Sequence, residues 1–135
     1  MGRFSTSLLG ETKVLLLATD GSHFSDGAVQ EAIFFGQACS AKVIVLHVVG
    51  IDAESLKSAD SAVRARRLEL APYFDHFRKM AKDSGVAYEI VVIGASNPAK
   101  TIIEQAELRQ AGVILMGRHG KTGPRGPKLP PWLIS

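Results

Sequence analysis

Two short stretches of this 135-residue chain combine polar residues with glycines at spacings that could do chemistry: A-T-D-G-S at 18–22 and M-G-R-H-G-K-T-G at 116–123. In the first, Asp20 follows the apolar run 14–18 and Thr19. A carboxylate there could accept hydrogen bonds from ribose hydroxyls or an adenine amine; a turn or helix-entry aspartate in D-G-S is the competing reading. In the second, Gly117, Gly120 and Gly123 recur every third residue. That spacing permits close backbone approach and N–H groups aimed at phosphate oxygens, and a plain glycine-rich turn fits it equally. His119 lies inside the stretch, as a candidate phosphate contact or an exposed loop histidine.

Other site chemistries are excluded by spacing. Gly120-Lys121-Thr122 mimics the end of a P-loop, but that motif needs glycine where Leu115 stands. No G-x-G-x-x-G follows the first apolar run, as a dinucleotide fold requires. His23, His76 and His119 show no metal-ligand spacing with one another or with Cys39, so no metal site is expected. His47, in an apolar run, reads as a satisfied structural residue. Cys39 cannot form an internal disulfide and reads as a small apolar residue near a helix end. Neither a Ser-His-Asp set, paired carboxylates, a general base nor a Mg²⁺-binding set is present, so turnover is expected to be absent or at most that of a slow ATPase.

The elements that must position the two loops alternate along the chain. Four branched apolar runs, KVLLLA (13–18), KVIVLHV (42–48), YEIVVI (88–93) and GVILM (112–116), suit strands buried on both faces. Between them lie helical periods. One starts at the cap Ser25 with Asp26 and buries Val29, Ile33 and Gly36. A second, from about Asp60 to Asp83, buries Val63, Leu70, Phe74, Phe77 and Ala81, with a kink or fresh start expected near 71 because of Pro72. The third starts at Asn97-Pro98, with Ile102, Ile103 and Ala106 as its buried side. The polar connection 49–60 is expected to be a mobile loop. Alternating strand and helix imply an α/β fold with a parallel sheet.

The net charge of +3 does not indicate nucleic acid. Four of the sixteen basic residues (Arg118, Lys121, Arg125, Lys128) and none of the thirteen acids lie in 117–135, which leaves the rest at twelve against thirteen. A nucleic-acid binder spreads basic surface over its folded part. The Arg64, Arg66 and Arg67 cluster reads as a solvated helix face. No apolar run approaches the ~20 residues of a membrane helix. The start MGRFSTSLLGETK lacks a signal h-region, and a cytoplasmic protein is expected.

The runs VLLLATDGSHFSDGAVQEA, AKVIVLHVV, EIVVIGASNPAKTIIEQA and GVILMGRHGKTG, from Lys13 to Gly123, resemble the universal stress protein family of the adenine-nucleotide α-hydrolase-like superfamily. The resemblance implies a three-layer, Rossmann-like open parallel sheet with the first and fourth strands adjacent. In nucleotide-binding members the aspartate after the first strand lies by the nucleoside, which carries to Asp20 with Thr19 beside it. The residue after the second strand's histidine touches adenine, which carries to Val48. The G-x-x-G loop approaches ribose and phosphates, which carries to Met116, Gly117 and Gly120.

One departure is specific. In the family the pattern continues through nine residues to a further Gly followed by Ser or Thr; those places hold Pro130 and Pro131 here. Proline has no N–H, so half of the phosphate cradle is expected to be lost. The family's last helix and fifth strand are not recognisable, so a truncated or frame-shifted end and an exposed fourth strand are expected. The resulting expectations are an N-terminal arm (1–12), a universal stress protein domain (13–123) and an irregular Pro-rich tail (124–135). The function implied is a stress-response regulatory module, a homodimer binding ATP or AMP without efficient turnover and engaging neither nucleic acid nor membrane. The alternative is a dimeric protein-interaction scaffold that binds no nucleotide.

Overall fold

A computed structural model of the chain describes residues 13–19, 26–52 and 59–116. Their order is β1 (Val14–Thr19), α1 (Asp26–Cys39), β2 (Lys42–Gly50), α2 (Ala59–Asp83), β3 (Tyr88–Ala95), α3 (Pro98–Leu108) and β4 (Val113–Met116). All four strands pair in parallel in the order β3-β2-β1-β4, as the apolar runs and the resemblance imply.

Successive residues of a strand point to opposite faces, so the sheet sorts its own side chains into two layers. Leu15, Leu17, Val43, Val45 and Leu115 pack under α1 and α2 with Val29, Leu70, Phe74 and Phe77. Leu16, Ala18, Ile44, Leu46, Val48 and Ile114 pack on the other face with Ile102 and Ala106 of α3. The steps β1 to β2 to β3 run one way across the sheet and place their helices on one face. The step from β3 back past β1 to β4 runs the other way, and a right-handed crossover then puts α3 on the opposite face. Each fully buried Leu in these layers contributes about 1.5–3 kcal/mol.

All three helices end in the same backbone joint. Ser40 (φ 52), Gly85 (φ 67) and Gln110 (φ 56) each take the left-handed conformation just past a helix. The next residue's N–H reaches back five residues: Ala41 to Gly36 O (2.9 Å), Val86 to Ala81 O (2.8 Å) and Ala111 to Ala106 O (2.9 Å). This closure satisfies carbonyls that a helix end leaves unpaired and turns the chain directly into the next strand.

Four local expectations are corrected. Pro72 lies inside one helix, Ala59–Asp83, so no fresh helix start falls near 71. It is exposed, so the carbonyl of Leu68 that it leaves without a donor belongs to the solvent side, where water can serve it. Ile103 is 40% exposed while Ile102 and Ala106 are buried, because the helix turns about 100° per residue and only the i, i+4 pair shares the inner face. Val63 is only partly buried at the edge of its stripe. Finally, β2 runs on through Val49 to Gly50, which shortens the connection expected at 49–60; positions 53–58, like the Ser25 cap, lie outside the described residues. Asn97 caps α3 as expected, its Oδ1 accepting from the Lys100 N–H at 3.2 Å.

Candidate functional site

The reversal in chain direction falls between β1 and β4, and in an open parallel sheet ligands enter at the carboxyl ends of the strands beside such a reversal. Thr19 is the last residue of β1, in register with His47, and Met116 is the last of β4, in register with Ala18. Val48 follows His47 on β2. Three of the expected contact residues, Thr19, Val48 and Met116, therefore meet at one end of adjacent strands. Asp20, Gly117, His119 and Gly120 lie outside the described residues, as do Pro130 and Pro131.

The ends of these strands are not level. β2 extends to Gly50, three residues past the register of Thr19, and β3 stays paired with it to Ala95. Lys42 donates its N–H to Lys13 O and Val43 donates to Ala87 O, each at 2.9 Å. Backbone groups alternate sides along a parallel strand, so even-numbered residues of β2 turn toward β1 and odd-numbered ones toward β3. Ile51 keeps that alternation, donating to Ala95 O at 2.9 Å. The carbonyl of Val48 and both backbone groups of Gly50 thus form a ledge on the β1 side of β2, past Thr19, the last described residue of β1.

Side chains clamp the ledge from both faces. Val48, with no exposed surface, is locked into the α3 layer. Met116, partly buried, packs against the same layer. His47, also fully buried, points the other way, and its Nε2 lies 3.3 Å from Nη1 of Arg66 on α2. Arg66 thereby departs from the solvated face expected for Arg64, Arg66 and Arg67: its side chain is 30% exposed and pairs with Glu69 at 3.6 Å. The helical period contained this signal. Residue 66 sits three after Val63 and four before Leu70, inside the buried stripe. His47 is a partnered core residue, as expected.

At the other end of the strands a depression of about 470 Å³ is lined by Lys13, Gln37, Ser40, Lys42 and Ser84 among others. The carboxyl ends of α1 and α2 converge on it, and their negative dipole ends oppose its two lysines. Lys42 is in any case engaged with Glu89 Oε1 at 2.9 Å, while Arg109 approaches the other oxygen at 3.4 Å. The Lys42 hydrogen bond, helped by the two positive charges and opposed by slight desolvation, holds Glu89 below the usual glutamate range. This cluster ties β2, β3 and α3 together far from the ledge. Among the described residues no group of three His, Cys, Asp or Glu side chains is placed to hold a metal ion, and no helix is long and apolar enough to cross a membrane.

The geometry agrees with comparisons across known proteins. A family model described as Universal stress protein family matches residues 11–129. Universal stress protein MJ0531 of Methanocaldococcus jannaschii is 32% identical over 117 residues, covering 82% of this chain and 67% of that protein. A solved universal stress protein family member from Burkholderia pseudomallei superposes with a TM-score of 0.63 at 22% identity, over 91% of this chain and 94% of its own. A family protein from Arabidopsis thaliana, solved with AMP bound, superposes with a TM-score of 0.52 at 16% identity, over 90% of each chain.

Proposed function

Since the chain belongs to the universal stress protein family, we propose that it is a stress-response regulatory module that binds an adenine nucleotide, ATP or AMP, at the ledge between β1, β2 and β4 without efficient turnover. The observation that carries the reading is the meeting of Thr19, Val48 and Met116 at the carboxyl ends of adjacent strands, beside the reversal in chain direction. The AMP bound to the Arabidopsis relative of the same fold supports the ligand class. In this reading Asp20 and Thr19 hold the nucleoside, Met116, Gly117 and Gly120 approach ribose and phosphate, and His119 contacts phosphate. The domain spans 13–123, with 1–12 as an arm and 124–135 as a tail, and the protein acts in the cytoplasm as a homodimer.

Pro130 and Pro131 stand where the family pattern places a second phosphate-binding pair, so adenosine and the first phosphate dominate recognition. Titration calorimetry of the full chain should then give similar affinities for AMP and ATP. ATP binding a thousandfold tighter than AMP would overturn that account. A second reading, a dimeric scaffold that works through protein contacts, is favoured by the apolar side chains left exposed on the helices, Phe34, Leu68 and Leu108. No heat with either nucleotide, together with a dimer in sedimentation, would decide for it. Release of ADP would instead mark a slow ATPase.

A further inference from the structure

We propose that Arg66 is a positioning residue of the nucleotide site, a latch that holds the end of β2 to α2 through His47. The consequence for binding rests on the nucleotide reading above; the latch itself rests on the geometry alone. A guanidinium has donors and no acceptor, so with Arg66 Nη1 at 3.3 Å the His47 Nε2 must present its lone pair. The ring is then neutral with its proton on Nδ1. The two residues are 19 apart in sequence and join different layers, so the contact is a tertiary one rather than a by-product of helix geometry.

The placement makes this contact matter. His47 is the residue of β2 in register with the last residue of β1, and Val48 after it turns its carbonyl onto the ledge. Adjacent side chains are thus fixed on opposite faces, His47 by Arg66 and Val48 by the α3 layer. Releasing one side lets the peptide between them rock, and a backbone acceptor that rocks is a poorer partner for a rigid base. Over this face of the sheet α2 contributes Arg66 with its partner Glu69, and α1 contributes Glu31, one of whose oxygens is buried without a hydrogen-bond partner. The flanking strands place Thr19 and Val92 in register with the histidine.

The test uses the full-length protein and three variants: Arg66→Met, Arg66→Lys and, as a control on the exposed side of the same helix, Arg64→Met. Nitrogen-15 NMR of the imidazole needs no ligand. In the wild type it should show the Nδ1–H tautomer at neutral pH. Arg66→Met should mix the tautomers, Arg66→Lys should restore much of the wild-type signature, and Arg64→Met should change nothing. Calorimetry with AMP should show about tenfold weaker binding in Arg66→Met at neutral pH, by analogy with supporting residues behind other ligand contacts. A ring signature unchanged by Arg66→Met overturns the latch while leaving the nucleotide reading intact. A changed signature with unchanged AMP affinity overturns the positioning role. A wild type that binds no AMP overturns the functional reading and the positioning role with it, while the tautomer signature still reports whether the latch exists.

Discussion

Gly36 and Gly27 share one helix, and replacing each with alanine should move stability in opposite directions. Helix propensity alone favours alanine over glycine by about 1 kcal/mol in a helix interior. At Gly36, however, the new methyl would stand 2.9 Å from both Val43 Cγ2 and Val86 Cγ1 and 3.4 Å from Ala41 O. Val43 has no exposed surface and Val86 is 6% exposed, so neither can swing into solvent. Both are also β-branched and stiff at χ1. Overpacking of this kind costs up to about 3 kcal/mol, which after the propensity gain leaves a net loss of about 1–2 kcal/mol. For a chain of this size that lowers Tm by roughly 3–8 °C. Among the described residues nothing lies within 4 Å of a methyl built on Gly27, so Gly27→Ala should gain about 0.4–1 kcal/mol by restricting the unfolded chain. Urea unfolding followed by far-UV circular dichroism reads both. A Gly36→Ala variant as stable as the wild type or more so would show that α1 does not lie as close to β2 and the start of β3 as described.

Three further outcomes are expected. Gln110→Gly should raise stability by about 0.5–1 kcal/mol, since it removes a side chain from a left-handed helix terminus without disturbing the Ala111 to Ala106 closure; a loss in thermal melts would refute it. Glu89, held below the ordinary glutamate value of 4.5 chiefly by the Lys42 hydrogen bond, should contribute stability that is present above 4.5 and lost as pH falls through its depressed folded value. Its side chain is 41% exposed, which limits the effect to a few tenths of a kcal/mol, so Glu89→Gln should flatten the acid limb of the stability profile slightly; an unchanged limb would assign acid sensitivity elsewhere. Asp20→Ala should weaken AMP binding by about 1.5–3 kcal/mol if the carboxylate accepts a nucleoside hydrogen bond, and unchanged calorimetric affinity in a folded variant would make Asp20 a turn residue.

The strands were legible because a strand buried on both faces must be apolar at every position, as Leu15–Ala18 and Val43–Leu46 are. Helix starts were legible where a cap was explicit, as at Asn97-Pro98. Helix ends were not, because only Gly85 of the three left-handed positions carries the residue that announces one, while Ser40 and Gln110 adopt it under tertiary constraint. The pairing of Arg66 with His47 was hidden by the identity of its neighbours: in a cluster of three arginines over residues 64–67 the charge suggested solvent, and only the period of the stripe separated one from the others. Ile103 was misplaced for the converse reason, an apolar residue that the period puts outside.

The position of β4 has a bearing on how the chain is made. Leu15 pairs with Val43, 28 residues later, but with Val113 only 98 residues later. Closing the longer loop costs about 1 kcal/mol more in chain entropy, a small penalty at equilibrium. In time the difference is larger: at the usual 5–20 residues per second, about 5–20 s of synthesis separate β1 from its second neighbour. Throughout that interval one side of Leu15–Ala18, among the most apolar backbone in the chain, is an open strand edge awaiting a four-residue partner. Among the described elements the crevice between β1 and β4 is assembled last, so its occupancy by ligand would report that the four-stranded sheet is complete.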